Sequence, residues 1–241
     1  MKNKQTKIGT LISMNLPQIT CQLSALGYDF IFIDLEHGHV NEETIAAIIL
    51  SKKPGCQVFI RICDITEASI KMALDLGCDG IIAPRVEQMS EIESLVNYSF
   101  YPPVGKRSVG FGLANQYGLD FKNYTAHFRP LILPQVESVK GVAIAEQILA
   151  NEFIAGIFIG PYDLSMSLGI AGQFDSPIFT DTIDTLRNAC NAHEKLFGTF
   201  ATNIERASEE IAKGTDMIAV GVDANLFLNQ YAGMIDALKR G

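Results

Sequence analysis

The chain has 241 residues, 48% of them apolar and 19% charged, with a net charge of -8 and a pI near 5.0. That composition can bury a sizeable core, and its scattered basic residues in an acidic chain exclude nucleic acid and anionic membrane as expected partners. No stretch approaches the roughly 18 continuous apolar residues of a membrane span.

Lys2, Lys4 and Lys7 precede a mixed stretch, but Gly9, Ser13 and Asn15 interrupt it and no small-residue cleavage site follows, so no secretory leader is expected. The cysteines (Cys21, Cys56, Cys63, Cys78, Cys190) are odd in number and lack CxxC spacing. Neither a disulfide framework nor a zinc knuckle is indicated, and a reducing cytoplasm fits. With no Gly/Ser/Pro-rich linker, residues 1–241 are expected to form one domain.

In chain order, short apolar runs rich in β-branched residues alternate with helical patterns. The predicted strands are KIGTLIS from Lys7, DFIFID from Asp29, QVFIRI from Gln57, GIIAP from Gly80, LILPQVE from Leu131, IAGIFIG from Ile154, LFGTFA from Leu196 and MIAVG from Met217. Most lack polar residues at alternate positions, as in a parallel sheet buried on both faces. A helix is predicted from Asn41, with Glu42 and Glu43 in its first turn, Ile45, Ile48 and Ile49 buried, and a stop at Lys52, Lys53 and Pro54. Ser90 with Glu93 predicts a capping box for a later helix.

A weak repeat, Gly27-x-Asp29-x-Ile31, Gly77-x-Asp79-x-Ile81 and Gly214-x-Asp216-x-Ile218, falls where each helix gives way to a strand. Strand-helix units repeated eight times predict an α/β fold of the (β/α)₈ TIM-barrel type. The segment from about 101 to 129 breaks that rhythm and reads as an insertion. A nucleotide-binding glycine fingerprint is not present, since Gly110-Phe111-Gly112 lacks the third glycine and follows no strand. The last helix, from Asn225, carries Phe227, Tyr231, Met234, Ile235 and Leu238 on one face and needs a partner, in its own barrel or on another subunit.

In a barrel the strand C-termini define the site. They carry Asp34, Glu36 and His37, Arg61, Arg85, Glu137 and Asp163. Alternation puts Leu133, Gln135 and Glu137 on one strand face, which makes Glu137 and Asp163 neighbours at the rim. Two such carboxylates repel unless a cation lies between them, and oxygen ligands suit Mg²⁺ or Mn²⁺. Ordinary roles are available too: Asp163 could cap a helix beginning at Leu164, Glu36 could cap the helix after it, and Arg61 could pair with Asp34. Beside Asp34, the His37 imidazole would be held in one tautomer and made a usable base. Arg61 in an apolar setting gains a purpose as a fork aimed at a substrate carboxylate.

FIFIDLEHG, the Arg61 strand, YPPVGKRSVG, PQVES and GIFIGPYDLSMSLG, in this order and spacing, resemble the HpcH/HpaI aldolase family, related to the citrate lyase β-subunit. The resemblance runs from about Gly27 to Val222. It implies a (β/α)₈ barrel whose C-terminal helix is exchanged between subunits of a homohexamer, a trimer of dimers. It also implies a divalent-metal (Mg²⁺, Mn²⁺ or Co²⁺) aldolase joining a 2-ketoacid such as pyruvate to an aldehyde. By position, Glu137 and Asp163 match the metal ligands, Arg61 the arginine on the ketoacid oxygen, His37 the base assisted by Asp34, and Gln135 a pocket glutamine. Gly160, Pro161 and Tyr162 match the turn that binds the ketoacid carboxylate. No lysine lies at a predicted strand end, which disfavours a Schiff-base route. The alternatives are an acyl-CoA ester lyase of the citrate lyase β type and a non-catalytic ketoacid-binding barrel.

Overall fold

In the computed structural model, which describes residues 5–239, eight parallel strands close into a barrel in sequence order. They are β1 (Lys7–Ile12), β2 (Phe30–Asp34), β3 (Gln57–Arg61), β4 (Gly80–Ala83), β5 (Leu131–Val136), β6 (Gly156–Ile159), β7 (Leu196–Ala201) and β8 (Met217–Val222). Every predicted strand is present, and β1 meets β8 through Lys7 opposite Met217 to complete the ring. The helices are α1 (Pro17–Leu23), α2 (Glu42–Ser51), α3 (Glu67–Leu76), α4 (Met89–Ser99), α5 (Phe121–His127), α6 (Val139–Ala143), α7 (Ala145–Leu149), α8 (Pro161–Ser167), α9 (Pro177–Ala192), α10 (Ile204–Ala212) and α11 (Asp223–Lys239). None among the described residues is long and apolar enough to cross a membrane.

Strand alternation sorts the apolar residues into two layers. Phe30, Phe32, Phe59, Leu133, Phe158 and Met217 fill the barrel interior. Ile31, Ile33, Ile60 and Ile81 point outward onto the helices, against residues such as Ile45, Ile48 and Ile70. Inside, rings interlock edge to face, Phe30 on Phe59 with centroids 5.7 Å apart and Phe32 on Phe158 at 5.3 Å. The neighbouring strand gives each of three rings its space: a Cβ on Gly9, Gly80 or Gly198 would run into Phe30, Phe59 or Phe158 respectively. Large and small residues are thus matched across the interior.

The repeated Gly-x-Asp does more than end helices. Gly27, Gly77 and Gly214 take left-handed backbone, with φ of 98°, 95° and 85°. Each aspartate then accepts an amide from the start of the preceding strand: Ile8 N–H to Asp29, Val58 N–H to Asp79 (both 2.8 Å) and Phe197 N–H to Asp216 (2.9 Å). The repeat therefore stitches the N-terminal end of the barrel, the end that serves stability.

Two helix starts differ from expectation. The predicted capping box at Ser90 and Glu93 is not the one formed: α4 begins at Met89, and Glu91 reaches back to accept the N–H groups of Glu87 (2.7 Å) and Gln88 (2.9 Å). Asp163 does not cap a helix at Leu164, because Pro161 already occupies the first helical position of α8, where its fixed φ and missing N–H fit. The insertion lies against α3, held by buried Arg107, which donates to Asp75 at 2.8 Å and to the Tyr124 hydroxyl at 3.3 Å. Val109, Phe111, Tyr117 and Leu119 stay exposed. So does α11, which begins at Asp223 directly after β8 and buries no residue.

Candidate active site

Adjacent strands deliver the charged residues to one rim. Asp34 and Arg61 face each other across β2 and β3, and the guanidinium forks onto the carboxylate, Nε to Oδ1 and Nη2 to Oδ2, both at 2.8 Å. Glu36 closes on the same guanidinium at 3.2 Å. Burial pulls the Arg61 pKa down, but the hydrogen bond and charge of Asp34, with Glu36 and Glu137 behind it, more than offset this and raise it. Arg61 is a fixed cation at every working pH.

This pairing changes the role expected of Asp34. The carboxylate accepts the backbone N–H groups of Glu36 (3.0 Å) and His37 (3.3 Å), and both its oxygens face Arg61, so it fixes the turn and not the imidazole. The His37 ring is 70% exposed, and its closest carboxylate is Glu36 at 3.8 Å. Glu36 does not cap α2, whose first-turn amide at Thr44 is taken by Asn41 (2.9 Å). Glu36 belongs to the charged rim instead, which its sequence neighbours Asp34 and His37 could have indicated.

On the opposite wall, Val136 faces Ile159 across β5 and β6, which sets Glu137 against Gly160. A Cβ on Gly160 would enter Glu137 Oε2 and come within 2.8 Å of Gln135 Nε2. Glu137 is buried, takes the Gln135 amide on Oε2, and accepts the Arg85 N–H on Oε1 at 2.8 Å. Burial pushes its pKa up to about 7; the Gln135 and Arg85 hydrogen bonds oppose this, while the charges of Asp163 and Glu36 add to it. Asp163 sits in the first turn of α8, and its charge is among those that raise the Glu137 value.

A cavity of about 380 Å³ joins these groups. Asp34, His37, Arg61, Gln135 and Asp163 line it, with Gly160, Pro161 and Tyr162 as its rim; Glu137 stands just behind Gly160. Leu11, Phe32, Phe158 and Phe200 make an apolar floor, and among the described residues no lysine lines it. A further wall comes from Ser13, Ala224 and Asn225. Asp223 holds it by accepting Ser13 N–H (2.9 Å), Ser13 Oγ–H (2.7 Å) and Met14 N–H (3.0 Å). Asp223 follows β8 as Asp34 ends β2, and inspecting the end of every strand would have found it.

No three described His, Cys, Asp or Glu side chains cluster as a ready ligand set. The site offers two carboxylates, and Gln135 Oε1 is buried without a hydrogen-bond partner among the described residues. Crowded acidic oxygens beside an unsatisfied amide oxygen fit a hard divalent cation that keeps open positions for substrate.

The sequence pattern of the HpcH/HpaI aldolase/citrate lyase family matches residues 7–230. The chain belongs to that family. It is 31% identical over 246 residues to the 5-keto-4-deoxy-D-glucarate aldolase of Escherichia coli O157:H7, covering 98% of this chain and 94% of the relative. Among solved structures, the HpcH/HpaI aldolase from Desulfitobacterium hafniense DCB-2 superposes with a TM-score of 0.89 at 25% identity, over 98% of this chain and 93% of that one. The citrate synthase SbnG gives 0.84 at 28% identity, over 99% and 95%. Membership of this family makes the protein a carbon–carbon lyase of the aldolase class.

Proposed function

We propose that the protein cleaves and forms the C3–C4 bond of 4-hydroxy-2-ketoacids, exchanging them with pyruvate (or a similar 2-ketoacid) and an aldehyde. The observation that carries this reading is one cavity lined by the fixed Arg61 guanidinium, Gln135 and Asp163, with the buried carboxyl of Glu137 behind its Gly160 rim. Likeness to a 5-keto-4-deoxy-D-glucarate aldolase supports a hydroxylated ketoacid as substrate. The protein would work in the cytoplasm, where its five free thiols suit a reducing medium.

The ketoacid carboxylate sits at the turn Gly160–Pro161–Tyr162, where the first amides of α8 have no carbonyl partner within the helix. Glu137 and Asp163 would hold Mg²⁺, Mn²⁺ or Co²⁺, which when bound supplies a Lewis acid beside the 2-oxo group. Arg61 faces the same oxygen and stabilises negative charge as it develops there. His37 takes the proton of the C4 hydroxyl; the C3–C4 electron pair moves into the enolate, and the aldehyde leaves. Protonation at C3 then gives the ketoacid. Asp34 and Glu36 act through Arg61 by holding its fork in place. Gln135 positions Glu137.

The assembly is proposed to be a homo-oligomer, a hexamer built as a trimer of dimers, with α11 exchanged between subunits. Its unburied apolar residues support that arrangement.

The test is pyruvate with a panel of aldehydes and Mg²⁺, Mn²⁺ or Co²⁺, with adducts read by mass. Adducts that vanish on chelation are expected; full activity in chelator would overturn the metal assignment. His37→Ala should cut turnover by roughly 10² to 10⁴ while pyruvate binding persists. The likeness to a citrate synthase favours one further arm, a 2-ketoacid with acetyl-CoA, whose condensation would replace the aldolase reading.

A further inference from the structure

The segment that carries His37, residues 35–41, runs from the end of β2 to the start of α2 and is neither helix nor strand. The imidazole makes no hydrogen bond among the described residues, so the backbone beneath it decides where the ring stands. One end of that backbone is fixed by the Asp34 carboxylate, through the N–H groups of Glu36 and His37. The other end needs an anchor of its own.

The β1–α1 loop supplies it. The Ser13 carbonyl accepts His39 N–H at 2.9 Å. Gly38 lies so close that a Cβ there would strike the Asp34 carbonyl oxygen and come within 3.0 Å of Ser13 Cα. Two residues on, Asn15 Oδ1 accepts Asn41 N–H at 3.2 Å and the Thr44 hydroxyl at 2.5 Å, which ties the same loop to the start of α2. His37 is thus slung between Asp34 and the stretch 13–15.

That stretch is held in turn by one carboxylate. Ser13 N–H and Met14 N–H have no backbone carbonyl partner among the described residues. Asp223 takes both, with the Ser13 hydroxyl as well: Ser13 donates twice to Oδ1 and Met14 once to Oδ2. Oδ1 also accepts Ala224 N–H at 2.8 Å, so Asp223 closes on its own helix start and on the loop together. Asp29, Asp79 and Asp216 stitch the far end of the barrel, whereas Asp223 makes this kind of bond beside the central cavity.

We propose that Asp223 is a positioning residue for the His37 base: through Ser13 it fixes the turn from which the imidazole meets the C4 hydroxyl of the hydroxy-ketoacid. The inference rests on the aldolase reading above and adds a residue to it. Asp223 does not itself line the cavity. Gly160, Glu137 and Asp163 hang on β5, β6 and α8, on the opposite wall, and do not depend on it. Loss of the clamp therefore misplaces the proton acceptor and leaves ketoacid binding alone.

The test uses Asp223→Asn, which keeps the shape but turns an NH₂ toward one of the loop amides, and Asp223→Ala, which releases the loop. With pyruvate and an aldehyde, kcat should fall about tenfold in the first and about 100-fold in the second, while KM for pyruvate stays within about twofold. Asp223→Asn decides alone should Asp223→Ala not fold. In a His37→Ala background Asp223→Asn should cost nothing more, because no imidazole is left to aim. A readout independent of turnover is hydrogen exchange followed by peptide mass: the amides of residues 37–41 should exchange several-fold faster in Asp223→Asn, with β5 and β6 unchanged. If the wild type joins no aldehyde to pyruvate, the aldolase reading falls and the exchange alone decides the tether. If the wild type is active but kcat holds in the variants, or the two losses multiply, the positioning role falls and the aldolase stands.

Discussion

Glu137 concentrates the electrostatic problem of the site in one carboxyl. Its ordinary value of 4.5 is pushed up to about 7, so between those values the native chain holds a proton that the unfolded chain has released. The stability this contributes is complete below the unfolded value and is lost as pH rises through the native one, up to about 3 kcal/mol in all. Chelator-treated protein should therefore be less resistant to urea at about pH 8 than at about pH 5, and Glu137→Gln should flatten that slope. A slope equally steep in the variant would assign it elsewhere. Gly160→Ala probes the same carboxyl from the other side. Its Cβ needs the space of Glu137 Oε2 and Gln135 Nε2, so the pair must move. A displacement of that size should lower kcat/KM about 100-fold with the barrel's circular dichroism retained. These groups were legible as positions, because strand ends are where a barrel keeps its chemistry, but their partners were not. Asp34 could have served His37 or Arg61, and only the β2–β3 register decides for Arg61.

At the scale of elements, the strands were legible because a strand buried on both faces must be apolar throughout, and little else in the chain is. Helix starts were less so. Gln88 is an uncommon cap, and Pro161 begins α8 two residues before the aspartate that looked like its cap. Contacts between helices had no trace in periodicity. Arg187 of α9 is buried over the Phe197 ring at 4.7 Å and pairs with Glu210 of α10 at 2.6 Å. Removing Glu210 strands that guanidinium, with only the more exposed Asp184 left beside it. Glu210→Ala should cost about 3 kcal/mol in chemical denaturation; a loss near zero would mean that Asp184 alone suffices.

At the scale of the whole molecule, the barrel closes without help from its last helix. Phe227, Tyr231, Met234, Ile235 and Leu238 remain exposed on a single 17-residue helix. Such a surface on an otherwise acidic chain is the kind that association covers, in keeping with the proposed oligomer. The native mass should be a multiple of 26.3 kDa, and Phe227→Asp with Tyr231→Asp should shift sedimentation toward that single value. The root of α11 is nonetheless part of the wall of the central cavity, since Asp223 clamps Ser13 and Met14 while Ala224 and Asn225 line it. Whatever grips the outer length of this helix therefore also steadies one side of the reaction chamber. Activity per subunit should then decline as the protein is diluted, and recover on reconcentration, so that the enzyme senses its own abundance.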